Sequence, residues 1–155
     1  MRIVPWPPVV STAIVAWSDI MMDGQVPLAF SFVLEELQSV LSPDRLRVRA
    51  MFGSHALYVD EKIVFITRQK GNPETIRDDG LWVALSGPEH ERTLVKDFPA
   101  LRAIEMFGDR AFANWLNLPA SEDGFEETAL ELCRLVAKRD SRIGKVPNAR
   151  RKAKR

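Results

Sequence analysis

The spacing of apolar residues changes along the chain, and each change predicts a different element. Between residues 28 and 41 apolar residues recur every three or four positions, which is the period of one helix face. From residue 45 to 52 they alternate with arginines, which predicts a strand with one buried side. This pattern places Phe52 on the buried side with Leu46 and Val48. The alternating arginines are Arg45, Arg47 and Arg49.

Residues 55–67 predict two strands around a turn at Asp60-Glu61. Tight hairpin turns need positive φ, which Glu61 adopts poorly, so we expect a longer or slightly strained turn. Residues 68–80 are polar and contain glycine and proline, which predicts a surface loop. Residues 81–86 predict another strand.

The second half predicts a short helix at 88–97, a second strand pair on either side of Gly108, and a final helix that Ser121 could cap. Strands joined by short turns form antiparallel sheets, and an amphipathic helix must bury its apolar face. We therefore expect an α+β fold. Its antiparallel sheet has about five to six strands, covered by an N-terminal helix, a middle helix and a C-terminal helix.

The chain has 155 residues, which suits one domain, and its charge is unevenly distributed. We expect an N-terminal extension at 1–27, a domain at 28–140 and a basic, disordered tail at 141–155. Residues 1–140 carry 15 basic and 21 acidic side chains, a net charge of −6. The tail has no acid and seven basic residues, which are Arg142, Lys145, Arg150, Arg151, Lys152, Lys154 and Arg155.

The N-terminal extension contains an apolar run at 9–17, preceded by prolines and a single arginine. Our main expectation is a poorly ordered segment. Two alternatives stay open: translation starting at Met21 or Met22, and a signal or anchor sequence. The run is shorter than the roughly 20 residues that span a membrane, so we expect no membrane insertion.

The triplet Met-Phe-Gly occurs twice, at 51–53 and 106–108. The sequences around the two copies agree poorly, which argues against duplication. We interpret Gly53 and Gly108 as structural residues at backbone bends, where glycine avoids a crowded Cβ.

The segment "MFGSHALYVDEKIVFIT", the strand "LWVAL" and the acidic-to-basic final helix resemble the TfoX amino-terminal domain family. The second half, "HERTLVKDFPALRA" to "ANWLNLP", is also similar to YjbR/MmcQ-type proteins. The resemblance covers about residues 28–139 and departs from the family pattern at Ser54, Ala56 and Glu61, where glycines are usual. It implies the α+β fold described above and a link to regulation of bacterial competence, and YjbR-like members are often called DNA-binding. It implies no catalytic residues.

Residues that could carry chemistry are sparse and scattered. His55 and His90 are the only histidines, and Cys133 is the only cysteine, so the sequence contains no metal-ligand cluster. One cysteine cannot form an internal disulfide, which fits a reducing compartment. We therefore expect a cytoplasmic protein that is not an enzyme and that needs no cofactor or metal.

Two functions remain after these exclusions. The first is a regulatory or interaction module with a protein partner, for which the oligomeric state is open and a homodimer is one alternative. The second is weak, nonspecific nucleic-acid binding through the seven basic tail residues, since cations neutralise phosphates regardless of sequence. Trp82 and Trp115 could stack on bases if exposed. We expect both instead to pack in the core.

Overall fold

The structure is a computed structural model that describes residues 26–106 and 113–146. Within these ranges the chain forms three α-helices and six strands. In chain order they are α1 (Ser31–Val40), β1 (Leu46–Met51), β2 (Ser54–Val59), β3 (Lys62–Arg68), β4 (Gly80–Ala84), α2 (Glu91–Asp97), β5 (Arg102–Ala103), β6 (Trp115–Pro119) and α3 (Phe125–Ala137).

The six strands form one antiparallel sheet with the order β1-β2-β3-β4-β6-β5. The predicted α+β fold is therefore confirmed. The predicted second strand pair is present as β5 and β6, although β5 contains only Arg102 and Ala103. The final helix begins at Phe125, and its N-cap residue is Gly124, so no side chain caps it. The expected cap at Ser121 is therefore wrong.

The main core lies between one face of the sheet and the helices. Leu57, Phe65 and Val83 point from neighbouring strands into this core and are fully buried. The ring of Phe125, at the start of α3, packs edge-on against Phe30 at a centroid distance of 5.9 Å. The apolar stripe predicted for α1 therefore joins two helices to the sheet.

The opposite face of the sheet, called here the second face, carries a smaller apolar cluster formed by Ala56, Tyr58, Ile63 and Ala84. Trp82 also lies on this face, beside Trp115, and is 5% exposed. Its buried indole nitrogen is satisfied by a hydrogen bond that it donates to the Asp78 carbonyl at 2.8 Å. The two predicted core tryptophans thus lie on the second face, with Trp82 buried.

Two tight hairpins organise β1, β2 and β3. Phe52 and Gly53 join β1 to β2 with φ values of 52° and 77°, and Asp60 and Glu61 join β2 to β3 with φ values of 53° and 70°. Positive φ at both central residues is what a type I′ turn requires. Gly53 thus lies at a backbone bend, as predicted, and its backbone is left-handed. The turn at Glu61 is strained rather than longer, because neither of its residues is glycine.

Residues 141–146, called here the C-terminal strap, pass between the diverging ends of β3 and β4. Gly144 donates a backbone hydrogen bond to Ala84 at 2.9 Å, and Lys145 exchanges two with Ile63, both at 2.9 Å. Ile143 is 5% exposed and belongs to the main core. The expected domain end at residue 140 is therefore wrong for 141–146. Ile143 and Val146 are the apolar residues of this short segment, and two such residues are too few to produce a periodic signal.

Candidate functional site

The basic residues predicted to bind nucleic acid fall into two groups. Arg142 and Lys145 lie in the C-terminal strap, where Arg142 is ion-paired with Asp97 and Asp140 at 2.9 Å. The Lys145 ammonium lies 5.6 Å from the ring centroid of Trp115, within cation–π range. Both cations therefore make contacts within the folded domain. The others, together with Gly108, lie outside the described residues; they are Arg150, Arg151, Lys152, Lys154 and Arg155.

Ion pairs account for many charged side chains near the sheet. The pairs join Arg45 to Asp60, Arg68 to Asp79, Arg77 to Glu105 and Arg102 to Glu122. In residues 26–106 and 113–146 no group of three or more histidine, cysteine or acidic side chains could hold a metal ion.

The two nucleophile or base candidates are poorly placed for chemistry. Burial raises the pKa of the Cys133 thiol to about 12, so the thiolate nucleophile does not form at neutral pH. Burial also lowers the pKa of His55, whose Nδ1 is buried without a hydrogen-bond partner. His55 lies in β2, and His90 precedes α2, with its Nε2 3.5 Å from the Glu89 carboxylate.

A cleft of about 300 Å³ lies between the β2–β3 turn, the end of α3 and the C-terminal strap. Its carboxylates are Asp60 and Asp140. A hydrogen bond from Arg45 lowers the pKa of Asp60, and one from Arg142 lowers the pKa of Asp140. Both groups are therefore committed to ion pairs as carboxylates, and neither is suited to act as a general acid.

The loop at 68–80 is the polar surface loop that we expected, since residues 69–77 are exposed or half-buried, but its buried end at Asp78 and Asp79 forms a hydrogen-bonded hub. The Asp79 carboxylate, in a residue that is 8% exposed, accepts a hydrogen bond from Arg68 at 2.5 Å. It also accepts from the backbone N–H groups of Lys70 at 3.1 Å and Gly71 at 2.9 Å. Asp78 is 2% exposed and binds two backbone N–H groups after β5. The two acids fix the loop to the sheet.

This hub supports the β1–β2 hairpin tip, defined here as residues 51–54. The Lys70 ammonium donates a hydrogen bond to the Phe52 carbonyl at 2.6 Å. A Cβ at Gly53 would lie 2.8 Å from the same nitrogen. The tip is therefore held against the loop by a contact that a larger residue at 53 would disturb.

The side chain of Phe52 is the most exposed large apolar group in the described part of the chain, at 90%. Its φ of 52° is unusual for a bulky residue. We expected Phe52 on the buried side of β1, and this is wrong because the chain turns before that position. The sequence did contain one signal for this turn, which is the glycine that directly follows Phe52 at the end of the alternating pattern.

The β1 strand forms one edge of the sheet and, among the described residues, pairs only with β2. The side chains of Arg47 and Arg49 project from it on the second face, and the Arg47 guanidinium lies 5.6 Å from the ring centroid of Tyr58. A shallow depression of about 330 Å³ lies beside them, lined by Arg49, Ala50, Met51 and Tyr58. Phe52, the depression and the two arginines all lie along β1 and the turn that follows it, and they are together called here the edge surface.

No family model, curated protein or solved structure matches the chain. The resemblance to the TfoX amino-terminal domain family therefore stays a prediction. No helix in the two described ranges is long and apolar enough to cross a membrane.

Proposed function

We propose that this protein is a non-enzymatic interaction module that binds a protein partner through the edge surface. The observation that carries this proposal is Phe52, an aromatic side chain that is 90% exposed on a left-handed backbone. Backbone strain at an exposed residue is typical of functional positions. Strain and exposure together give no benefit to the isolated fold.

The physical properties of the tip suit a binding anchor. Burying a phenylalanine side chain contributes about 1.5–3 kcal/mol, and aromatic anchors dominate the energetics of many interfaces. The Lys70 hydrogen bond and the Asp79 hub hold the tip in place before binding. A preorganised anchor loses less conformational entropy when it binds.

Quantitative affinity capture tests the proposal. The immobilised full-length protein is compared with the Phe52→Asn variant in extracts of the source cell, with bound proteins measured by mass spectrometry. Asparagine tolerates a left-handed backbone, so the variant should keep its fold and lose its partner. Leu28→Asn is the matched control, because Leu28 is 88% exposed outside the edge surface. Equal capture by wild type and Phe52→Asn would contradict the proposal.

The regulatory role in this proposal is supported by the resemblance to the TfoX amino-terminal domain family. A cytoplasmic location is supported by the buried, free Cys133. The capture experiment also tests the regulatory role and the cytoplasmic location. The identity of the captured partner would indicate the process in which the protein acts and the compartment in which it acts.

The alternative function is weak nucleic-acid binding through the tail. Residues 1–146 carry 17 basic and 21 acidic side chains, a net charge of −4, whereas residues 147–155 carry five basic side chains and no acid. If all five engaged duplex DNA, log affinity would fall with log salt at a slope near −4.5, from roughly −0.9 per phosphate. Fluorescence anisotropy at several salt concentrations should detect this binding in the full chain and not in a chain ending at Val146. Binding retained after that truncation would contradict a tail-based mechanism.

A further inference from the structure

We infer that the cleft at the end of α3, called here the α3 cleft, binds a small organic anion: a carboxylate carried on a short apolar body. The site is separate from the edge surface and does not depend on the proposed function. Three features carry the inference: two cations in the lining, an aliphatic floor and a left-handed arginine. Within the described ranges the cleft holds about 300 Å³, at the lower end of the range for small-molecule sites.

The two acids that line the α3 cleft are already paired with arginines. Arg45 donates hydrogen bonds to both carboxylate oxygens of Asp60, at 2.8 and 2.5 Å. Arg142 donates to both oxygens of Asp140, at 3.0 and 2.9 Å. Such two-point pairs of arginine and carboxylate are strong and geometrically specific. Both arginines come from outside the lining, so each acid is neutralised without using a cation of the cleft.

Two cations line the same cleft, Lys62 at the start of β3 and Arg139 after α3. The Arg139 Nε lies 3.9 Å from Asp60, a long contact with a carboxylate that Arg45 already binds. Among the described residues Lys62 has no ion-pair partner. An arginine fork matches the geometry of a carboxylate, and a lysine adds a compact positive charge. The lining therefore has positive charge for one carboxylate.

Aliphatic side chains form the rest of the lining. Val59 and Val64 come from the sheet, Val136 comes from α3 and Ile143 comes from the C-terminal strap. All four are nearly buried and belong to the main core, so the floor of the cleft is preformed. An apolar floor with a few convergent polar groups is the usual composition of a ligand pocket. It suits a ligand with a short apolar body beside its carboxylate.

The backbone at Arg139 is one that glycine favours. The N–H groups of Arg139 and Asp140 donate to the carbonyls of Val136 and Leu135, both at 3.0 Å, which is the Schellman pattern at a helix end. The residue after the C-cap in this motif is usually glycine, because its backbone is left-handed. Arg139 occupies that position with a φ of 63°. Left-handed bulky residues cluster at ligand sites, so we infer that the Arg139 side chain serves a ligand.

The experiment is an NMR titration of the full-length protein at constant pH and ionic strength with four probes: hexanoate, hexanamide, hexylammonium and acetate. Hexanoate should bind at least about tenfold more tightly than neutral hexanamide, the factor of one charged hydrogen bond. Hexylammonium has the wrong charge and acetate lacks the apolar body, so both should bind more weakly still. Shifts should centre on the amides of Lys62, Arg139 and Gly144. Equal binding of hexanoate and hexanamide, or hexanoate shifts confined to other elements, would overturn the inference.

A result without hexanoate binding would also overturn it. That result is expected if residues outside 26–106 and 113–146 cover the cleft, because the site would then be closed to a ligand.

The Arg139→Gly variant separates ligand binding from folding. Glycine suits the left-handed backbone, so the variant should resist urea at least as well as the wild type. It should bind hexanoate at least about tenfold more weakly and hexanamide equally well. Glu61→Gly is the matched control, because it relieves the left-handed backbone of the neighbouring turn and removes no lining side chain. This control should bind hexanoate at least as tightly as the wild type, and equal binding by Arg139→Gly would overturn the inference.

The Lys62→Gln variant tests the second cation without changing a left-handed residue. Lys62 is exposed at the start of β3, so urea unfolding should stay unchanged. Hexanoate affinity should fall by about two- to fivefold, as for an exposed ion pair, and hexanamide affinity should not change. Lys96→Gln removes the same charge at an exposed position of α2 outside the cleft and should leave both affinities unchanged. Equal hexanoate affinity in the two variants would overturn the inference even if Arg139→Gly does not fold.

Discussion

Replacing Ile143 with alanine tests whether the C-terminal strap is part of the folded domain. Ile143 is 5% exposed and belongs to the main core, and its segment is joined to β3 and β4 by backbone hydrogen bonds. Buried isoleucine to alanine changes cost about 2–5 kcal/mol, and the cost is smaller where the surroundings can collapse into the space. The strap lies at the surface and can adjust, so we expect a loss of about 2–3 kcal/mol.

The assays are urea unfolding, which gives the free energy of unfolding, and thermal unfolding, which gives Tm; both are followed by tryptophan fluorescence, with Trp82 and Trp115 as reporters on the second face. At about 2–4 °C per kcal/mol for a chain of this size, Tm should fall by about 4–12 °C. Val146→Ala is the control: Val146 is 43% exposed at the end of the strap, and its change should stay within about 0.5 kcal/mol. If Ile143→Ala is as stable as Val146→Ala, the strap does not pack in solution and the domain ends earlier.

Three further predictions concern stability. Gly53→Val should lower the free energy of unfolding by about 1–3 kcal/mol in the same urea assay, because φ there is 77° and a Cβ would crowd Lys70; a neutral change would mean that the tip is not held as described. Asp79→Ala should cost about 3–5 kcal/mol, because it leaves the Arg68 charge buried without its partner, and a loss below about 1 kcal/mol would show that water reaches Arg68. Burial lowers the pKa of His55 from 6.5, so the unfolded chain binds a proton more readily and stability should fall as pH drops through about 6.5; urea titrations at pH 7.5 and 5.5 should show a smaller fall in His55→Gln, and an equal fall would assign it to other groups.

The parts of the fold with a regular apolar period were predictable from the sequence. The α1 stripe, the alternation in β1 and the final helix each repeat an apolar spacing over several residues, and local spacing determines which face is buried. The hub around Asp79 could not be read in this way. Its partners are two backbone N–H groups and Arg68, which the chain brings together only after it turns.

The candidate site was missed for a similar reason. The alternation of apolar and polar residues in β1 predicted that Phe52 is buried, because this apolar residue falls at the next position of the alternating pattern. The hairpin register ends the strand at Met51 and places Phe52 in the turn. The basic tail was easier to notice, since charge is visible without a fold, but two of its seven cations proved to be parts of the domain.

Site-specific photocrosslinking from position 52 tests the central claim most directly. A photoreactive phenylalanine analogue replaces Phe52 in the full-length protein, and the same analogue at Leu28, which is 88% exposed, serves as the control. If the hairpin tip is the binding anchor, crosslinks from position 52 should join the protein to a discrete partner and should be absent from position 28. Equal crosslinking from both positions, or none from position 52 in cell extract, would contradict the assignment of the edge surface as the binding site.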